Sequence, residues 1–378
     1  MSDAYEIVQY RPEFKEQVLV LQQDLWRSDV ALHRAYFEWK YEQNPYVPEP
    51  LVYLAMHRGV VVGMRGMCGT KWQVGCPPTT FVMPHAADLV IAPEHRNQGL
   101  FTRLMTAAFE DLAQRGYECV ITLSAGEVTT FGSLAMGWKS VGPMALVAWH
   151  GAHALVSRRI RRAVGRMPFF RRYANARPFL ARCERQPFVH FDRARARSLA
   201  RTHRFVTLTR TPRPAAMAHL VERIPYDGRI RPFRDSEFFA WRFRDPANEC
   251  RFLYWERGQL EGYLVLNRPR FHKPSDFGVH ILDCEATAEE TRADLLAAAV
   301  AKGKFADLRS WTISLPESTK RVLEALGFTP IDPSRRKRGF PVALLRPVRD
   351  ADLGGTWTIA GRQLLDIGNW DLRMICSF

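Results

Sequence analysis

The chain has 378 residues, which is too long for one ordinary hydrophobic core and predicts two domains. Its 47% hydrophobic and 12% aromatic content is typical of a globular protein. Because it has neither an apolar run long enough to span a bilayer nor a secretory signal, we expect a cytoplasmic protein without a membrane span. The net charge of +15 predicts attraction to polyanions.

The chain opens with an aromatic cluster that two strands follow. The cluster is Phe37-Glu-Trp39-Lys-Tyr41-Glu-Gln-Asn-Pro45. Apolar runs at 51–56 and 60–64, separated by Arg58-Gly59, predict two strands joined by a tight turn.

A buried strand then runs through a short polar loop into an amphipathic helix. Apolar residues recur on one face of the helix predicted over 99–115, which ends at Gly116. The first amides of a helix lack carbonyl partners and lie at the positive end of its dipole, so the turn at residues 96–101 predicts an anion site. Gly99 has no Cβ, which would let a pyrophosphate approach the backbone.

A short strand over 119–123, a short helix and the turn Met136-Gly137-Trp138 come next. With Arg96-Asn97-Gln98-Gly99-Leu100-Phe101 before them, these elements resemble the GNAT acetyltransferase superfamily, whose coenzyme-A motif is Arg/Gln-x-x-Gly-x-Gly/Ala. The last small residue of the motif is replaced by Phe101. The resemblance implies an α/β (α+β) fold with a mixed central sheet flanked by helices, and acetyl-CoA as cosubstrate.

Residues 151–204 carry fifteen arginines and two acids, and so contribute +13 of the net charge. RNA, an anionic membrane face or an acidic carrier would be attracted to such a surface. The phenylalanines within the segment favour a packed helical connector, whose arginine stems cover apolar surface. We therefore predict a connector, with nucleic-acid binding as the less favoured interpretation.

The second half repeats the first at an offset of about two hundred residues. Phe239-Ala-Trp241-Arg-Phe243-Arg-Asp-Pro246 matches the first aromatic cluster, and strands are predicted at 252–255, 260–266 and 311–315. Thr287-Ala-Glu-Glu290 predicts a capping box that opens a helix through Val300. We predict two tandem GNAT folds: a first copy (1–150) with the acetyl-CoA site, the connector (151–204), and a degenerate second copy (205–378).

The second copy lacks the anion-binding turn. Its corresponding segment, residues 282–290, has no glycine and no arginine but has four acids: Asp283, Glu285, Glu289 and Glu290. Four carboxylates would repel a pyrophosphate, so we expect this copy to be a structural partner that completes the first site.

The resemblance also implies direct acyl transfer in a ternary complex. Main-chain groups of Leu89, Val90 and Ile91 would bind the pantetheine arm and polarise the thioester carbonyl. The family's tyrosine acid, four residues before the glycine of the second turn, is replaced by Ser133 here. The phosphates would lie on Arg96, Asn97, Gln98, Gly99, Leu100 and Phe101.

Three acidic or basic side chains are candidates for the general base. Asp88 and His85 are three apart on one strand and are expected to face opposite sides, and Glu127 follows the next strand at its carboxyl end. The terminal carboxylate of Phe378, in a tail predicted to be strand-like over 369–378, is a further candidate. The seven cysteines form no Cys-x-x-Cys pair, and we predict no metal site.

The leading hypothesis is an N-acetyltransferase that moves an acetyl group from acetyl-CoA to a primary amine of a small molecule. The alternatives are a transferase that uses aminoacyl-tRNA or a longer acyl donor, and an acyl-CoA sensor without turnover. The sequence does not define the acceptor amine or the oligomeric state.

Overall fold

Two mixed β-sheets flanked by helices make up the described part of the protein, in a computed structural model. The described residues are 5–25, 29–123, 126–151, 188, 191, 203–271, 278–302, 305, 307–331 and 342–377. The arginine-rich connector lies almost entirely outside them, so its helical character stays a prediction.

The helices have the short amphipathic character expected of elements that cover a sheet. Their bounds are α1 (Lys15–Gln22), α2 (Val30–Phe37), α3 (Leu100–Gln114), α4 (Glu127–Ala135), α5 (Pro214–Arg223), α6 (Ser236–Arg242), α7 (Glu289–Lys302) and α8 (Glu317–Ala325). A π-helical turn, Glu38–Glu42, continues α2. No described helix has both the length and the apolar character that crossing a membrane requires.

The strands are rich in β-branched and aromatic residues, as a half-buried sheet requires. Their bounds are β1 (Glu6–Gln9), β2 (Leu51–His57), β3 (Val60–Val74), β4 (Thr79–Ile91), β5 (Cys119–Thr122), β6 (Lys139–Pro143), β7 (Leu146–His150), β8 (Val206–Thr209), β9 (Arg231–Pro232), β10 (Asn248–Arg257), β11 (Gln259–Pro269), β12 (Val279–Ala286), β13 (Asp307–Trp311), β14 (Thr329–Pro330), β15 (Val342–Pro347), β16 (Thr358–Ile359) and β17 (Arg362–Gln363).

Each large sheet contains a strand from the other half of the chain. The first sheet has the order β1-β2-β3-β4-β5-β15-β6, with β9 paired to β3, and the second has the order β14-β7-β13-β12-β11-β10-β8. Strand β7, from the first half of the chain, pairs with β13 in the second sheet. Strand β15, from the second half, lies between β5 and β6 in the first sheet. This exchange ties the two GNAT folds together.

The two aromatic clusters that the sequence repeats contact each other. The rings of Trp39 and Trp241 are stacked with centroids 4.9 Å apart. Each indole N–H donates to the main-chain carbonyl of the other tryptophan, at 2.8 Å from Trp39 and 3.0 Å from Trp241. The reciprocal pair places equivalent residues of the two copies around a local pseudo-twofold axis.

Two predicted elements are wrong. Strand β13 ends at Trp311, so the strand predicted over 311–315 is displaced. Beyond it, the Ser314 hydroxyl accepts from the Leu372 amide at 2.7 Å, which docks this segment onto the tail.

The tail predicted as a strand over 369–378 instead contains a 3₁₀ turn at Met374–Cys376. Its carbonyls at Ile375 and Ser377 accept from the Arg242 guanidinium, at 3.1 and 2.9 Å, rather than from a neighbouring strand. Phe378, the candidate terminal carboxylate, lies outside the described residues.

Candidate active site

The turn at residues 96–101 is shaped by two left-handed residues. Strand β4 ends at Ile91 and a 3₁₀ turn follows at Pro93–His95. Asn97 and Gly99 have φ of +62° and +69°, a conformation that asparagine and glycine adopt more easily than other residues. The Arg96 guanidinium donates from Nε to the Ile91 carbonyl at 3.1 Å, which holds the turn against the end of β4.

The start of α3 is open to an incoming group. Its first intrahelical bond runs from the Arg103 amide to the Gly99 carbonyl at 3.2 Å, so the amides of residues 100–102 precede it. Residues 96–99 are mostly exposed, and a Cβ on Gly99 would meet no atom of the described residues within 4 Å. The turn therefore fits a pyrophosphate, since unpaired amides, a positive helix end and free space coincide there.

Phe101, the departure from the family motif, does not close this turn. Its ring lies against α4, where a Cβ on Gly132 would come within 2.9 Å of the ring edge. Because Gly132 has no side chain, there is space for the Phe101 ring, which is larger than the Gly or Ala of the family motif. The two helices pack through this contact, and the turn stays open.

A β-bulge interrupts β4 before the turn. Arg65 of β3 pairs with Leu89 and the next residue, Gly66, pairs with Ala87, so Asp88 is the extra residue. Asp88 has φ of +44°, an uncommon value for a residue with a side chain. The bulge lies directly before the predicted pantetheine-binding residues.

Strands β4 and β5 diverge beyond the bulge. Within the described range, their parallel pairing is registered at one position, His85 with Ile121. Residues 89–91 keep β3 as a partner on one side, but they have no registered partner on the β5 side. Main-chain groups of residues 89–91 on this side therefore have no strand partner among the described residues, as binding of a pantetheine arm would require.

Asp88 is held in a buried ion pair. Its Oδ2 accepts from the Lys40 ammonium at 2.9 Å and from the Tyr41 hydroxyl at 2.6 Å. Lys40 also donates to the Tyr36 hydroxyl at 2.7 Å. Burial, together with the Asp88 charge, raises the pKa of Tyr41, so this hydroxyl remains a donor. The Oδ2 atom of the Asp88 carboxylate therefore has two partners within the protein, Lys40 and Tyr41.

His85 is buried and neutral. Its Nε2 accepts from the Leu123 amide at 3.2 Å, which joins β4 to the end of β5. Burial, with smaller contributions from Lys40 and Arg65, lowers the pKa of His85 to about 3. The expectation that His85 and Asp88 face opposite sides assumed a regular strand, but Asp88 is itself the extra residue of the bulge and interrupts that alternation.

The remaining candidates lie on α4. Ser133 is 1% exposed, and its hydroxyl has no hydrogen-bond partner in the described structure. Glu127 is the first helical residue after Gly126, close in sequence to the end of β5. The structure thus brings Asp88, His85 and the 89–91 segment together at the bulge, with Ser133 and Glu127 on the helix that follows β5.

Sequence reasoning missed Arg65, a buried arginine on β3 that is 2% exposed. Its guanidinium interacts electrostatically with Tyr41 and Asp88. The available signal was a single charged residue in an otherwise uncharged run over 60–70. Such a residue is expected to be paired, or to serve a ligand, when its strand is buried on both faces.

The second copy repeats the bulge and the diverging strands. Val265 pairs with Asp283 and Leu266 pairs with Ile281, so Leu282 is the extra residue of β12. Parallel pairing of β12 with β13 is registered at Val279 and His280. The backbone devices of the first site are therefore present in both copies.

The carboxylates of the second copy are not arranged as expected. Asp283 and Glu285 do not face solvent but are buried, with Arg234 at 3.1 Å from Asp283 and 2.7 Å from Glu285. Arg373 from the tail lies 3.2 Å from Asp283 and 2.9 Å from Glu285. Burial would raise the pKa of Asp283, but Arg234 and Arg373 lower it, so the carboxylate stays ionised.

Glu289 and Glu290 are exposed in the first turn of α7, and Glu289 accepts from Arg292 at 2.7 Å. The start of α7 therefore presents negative charge, whereas the start of α3 presents open amides.

Residues 7–138 match the family model of the acetyltransferase (GNAT) domain. A search of curated proteins gives no match in sequence. Among solved structures, a GCN5-related N-acetyltransferase from Anabaena variabilis is similar with a TM-score of 0.56 at 11% identity, over 92% of this chain and 73% of that one.

Two further structures are similar over most of both chains. A putative acetyltransferase from Pyrococcus horikoshii has a TM-score of 0.51 at 9% identity, over 98% of this chain and 95% of that one. A tandem GNAT protein from the clavulanic acid biosynthesis pathway has a TM-score of 0.50 at 13% identity, over 92% and 99%. At these identities the likeness shows the fold. Residues 7–138 thus match a GNAT domain, and the described residues form two GNAT folds in tandem.

Proposed function

We propose that this protein is an N-acetyltransferase that moves an acetyl group from acetyl-CoA to a primary amine of a small molecule. The observation that carries the proposal is the open turn at Gly99, where the first amides of α3 precede its hydrogen-bond ladder. A linked pair of phosphates matches this geometry, because it places several acceptor oxygens at the positive end of one helix. The family match over residues 7–138 supports acyl transfer.

In the first copy, different residues would bind the phosphates and the pantetheine arm of acetyl-CoA. The amides of residues 99–101 and the side chain of Arg96 would hold the phosphates. The main-chain groups of Leu89, Val90 and Ile91 on the β5 side would hold the pantetheine arm and polarise the thioester carbonyl, since no strand pairs with them there. Acetyl-CoA supplies the activated acyl group.

The reaction needs one proton removed and one delivered. The amine nitrogen forms a bond to the acyl carbon while the carbon–sulfur bond breaks, and the proton lost by the amine is balanced by one gained by the leaving thiolate. We propose Glu127 as the base, because the bonded oxygen of Asp88 and the Nε2 of His85 already have structural partners. We propose that Ser133, whose hydroxyl has no hydrogen-bond partner among the described residues, donates the proton to the leaving thiolate.

The proposal is tested by calorimetric titration of the full chain with acetyl-CoA. Gly99→Glu places a side chain and a negative charge in the turn, and we expect affinity to fall by at least about 100-fold. The matched control is Ala288→Glu, at the corresponding exposed position before α7, which should bind as the unaltered chain does. Absence of acetyl-CoA binding in the unaltered chain, or equal loss in both variants, contradicts the proposal.

Turnover is measured separately as release of free thiol in the presence of a panel of primary amines. We expect amine-dependent release, and Glu127→Gln should lower it by at least about 100-fold without changing acetyl-CoA affinity. Binding without amine-dependent release would instead identify an acyl-CoA sensor.

A further inference from the structure

Arg65 is a buried guanidinium that has no hydrogen-bonded or ion-paired partner among the described residues. It is 2% exposed, and no hydrogen bond or ion pair joins it to a described residue. Two other buried cations of the described residues have carboxylate partners: Lys40 donates to Asp88, and Arg234 bridges Asp283 and Glu285. A buried charge without a partner is costly, so its retention indicates a partner that comes from outside the chain.

The position of Arg65 places that partner at the acyl-transfer centre. Arg65 pairs across the sheet with Leu89, the residue that follows the bulge. Its charge acts on Tyr41, Asp88 and His85, which surround the bulge. The Asp88 carboxylate pairs instead with the Lys40 ammonium and the Tyr41 hydroxyl, both through its Oδ2.

The charge of Arg65 selects the chemistry of the partner. Burial lowers the pKa of Arg65 to about 10, so it remains a cation at neutral pH. A planar guanidinium with free N–H groups binds a carboxylate through two parallel hydrogen bonds. A neutral hydroxyl or amide would leave the positive charge uncompensated.

We propose that Arg65 binds a carboxylate carried by one of the two reactants of the first copy, an inference that rests on the proposed acyltransferase function. The carboxylate has two sources in such a reaction. It belongs either to the amine acceptor, as in an amino acid, or to the far end of a dicarboxylic acyl group, as in a succinyl thioester.

Two experiments separate these sources, each with the unaltered chain and with Arg65→Met, which keeps an unbranched apolar stem but removes the guanidinium group. The first experiment compares calorimetric affinities for acetyl-CoA and succinyl-CoA. If the acyl group carries the carboxylate, succinyl-CoA binds about 10-fold or more tightly than acetyl-CoA, and Arg65→Met removes the difference.

The second experiment measures thiol release from acetyl-CoA with amino acids and their carboxamides. If the acceptor carries the carboxylate, kcat/KM favours the acids by about 10-fold or more, and Arg65→Met removes the preference while acetyl-CoA affinity is unchanged. Arg65→Lys keeps the charge but not the paired hydrogen bonds, and it should show an intermediate preference. It also serves as a second test if Arg65→Met does not fold.

Thermal unfolding of the unliganded protein gives a readout independent of turnover. Removing an unpaired buried charge should leave the Tm of Arg65→Met equal to or above that of the unaltered chain. A preference for carboxylates in neither experiment, or one that survives in Arg65→Met, overturns the inference. The proposed function fails differently, through loss of acetyl-CoA binding in the Gly99 experiment.

Discussion

The two copies share a backbone arrangement but differ in the residues at the start of the helix that follows the bulged strand. Both have a bulge, at Asp88 and at Leu282, and in both the following strands diverge. In the first copy a glycine turn leads to open amides at the start of α3. In the second copy the equivalent region holds buried carboxylates paired with Arg234 and Arg373, and exposed glutamates precede the helix.

The comparison shows that two copies with the same bulge and the same diverging strands present different charge at the helix start that follows. The bulge and the diverging strands make main-chain groups available. Binding of an anion also requires a helix start that carries no competing negative charge. The second copy keeps the first condition and lacks the second. Its ion network, which includes the tail residue Arg373, is better suited to joining the tail to the sheet.

The largest expected effect is on the buried network of the second copy. Arg234→Met leaves Asp283 with Arg373, and Glu285 with Arg373 and the more distant Arg292. We expect the free energy of unfolding to fall by about 3–5 kcal/mol. Denaturant unfolding measures this. As a control, Lys320→Met removes an exposed ion pair with Glu317 and should cost less than about 1 kcal/mol. A loss below the control value would mean that the network is not structural.

The next effect tests the pseudo-symmetry of the contact between copies. Trp39→Phe and Trp241→Phe each remove one N–H donor to a buried carbonyl, so each should cost about 0.5–1.5 kcal/mol of unfolding free energy. The two losses should be equal within the error of chemical denaturation. Clearly unequal losses would show that the contact is symmetric in geometry but not in energy.

Acid stability should depend on the first copy through His85. The folded pKa of about 3 lies below the ordinary 6.5, so between these values the unfolded chain binds a proton that the folded chain excludes. Stability from this group is complete above pH 6.5 and decreases as pH falls, by up to about 1.4 kcal/mol per pH unit.

The control for this effect is His85→Gln, which offers an acceptor to the Leu123 amide without titrating. The equivalent residue of the second copy, three before its bulge, is Val279, which has no proton to exchange. Tm measured from pH 7 to pH 4 should fall less in the variant than in the unaltered chain. The same slope in both proteins would assign the acid sensitivity to another group.

The smallest expected effect concerns the start of α7. Replacing Glu289 and Glu290 together by alanine removes the exposed negative charge but does not create a glycine turn. We expect one acetyl-CoA per chain before and after the change, and an unfolding free energy lowered by no more than about 1 kcal/mol, through the lost helix-dipole interaction. A second binding event in calorimetry would show that charge alone closes the second site.

Features contained in one short segment were predictable from the sequence. The helix 100–114 and the turn before it follow from apolar periodicity and from glycine, because their hydrogen bonds form between residues a few positions apart. The GNAT resemblance rested on the same local features and is confirmed by the family match and the fold. The tandem repeat is likewise confirmed, through the two sheets and the similarity to a tandem GNAT protein.

Features that join distant residues were not predictable. The two carboxylates expected to face a phosphate, Asp283 and Glu285, are instead neutralised by Arg373, ninety residues after Asp283 in the chain. The alternation from which the sides of His85 and Asp88 were predicted is interrupted at Asp88 by a bulge, which has no clear mark in the sequence.

The sequence by itself determined the order of elements, the tandem repeat and the open turn at Gly99, since local hydrogen bonding and side-chain size decide them. The tertiary structure alone decided the exchange of β7 and β15, the pairing of buried charges and the unpartnered state of Arg65. Whether a buried charge is compensated depends on which distant groups the folded chain brings within a few ångströms of it.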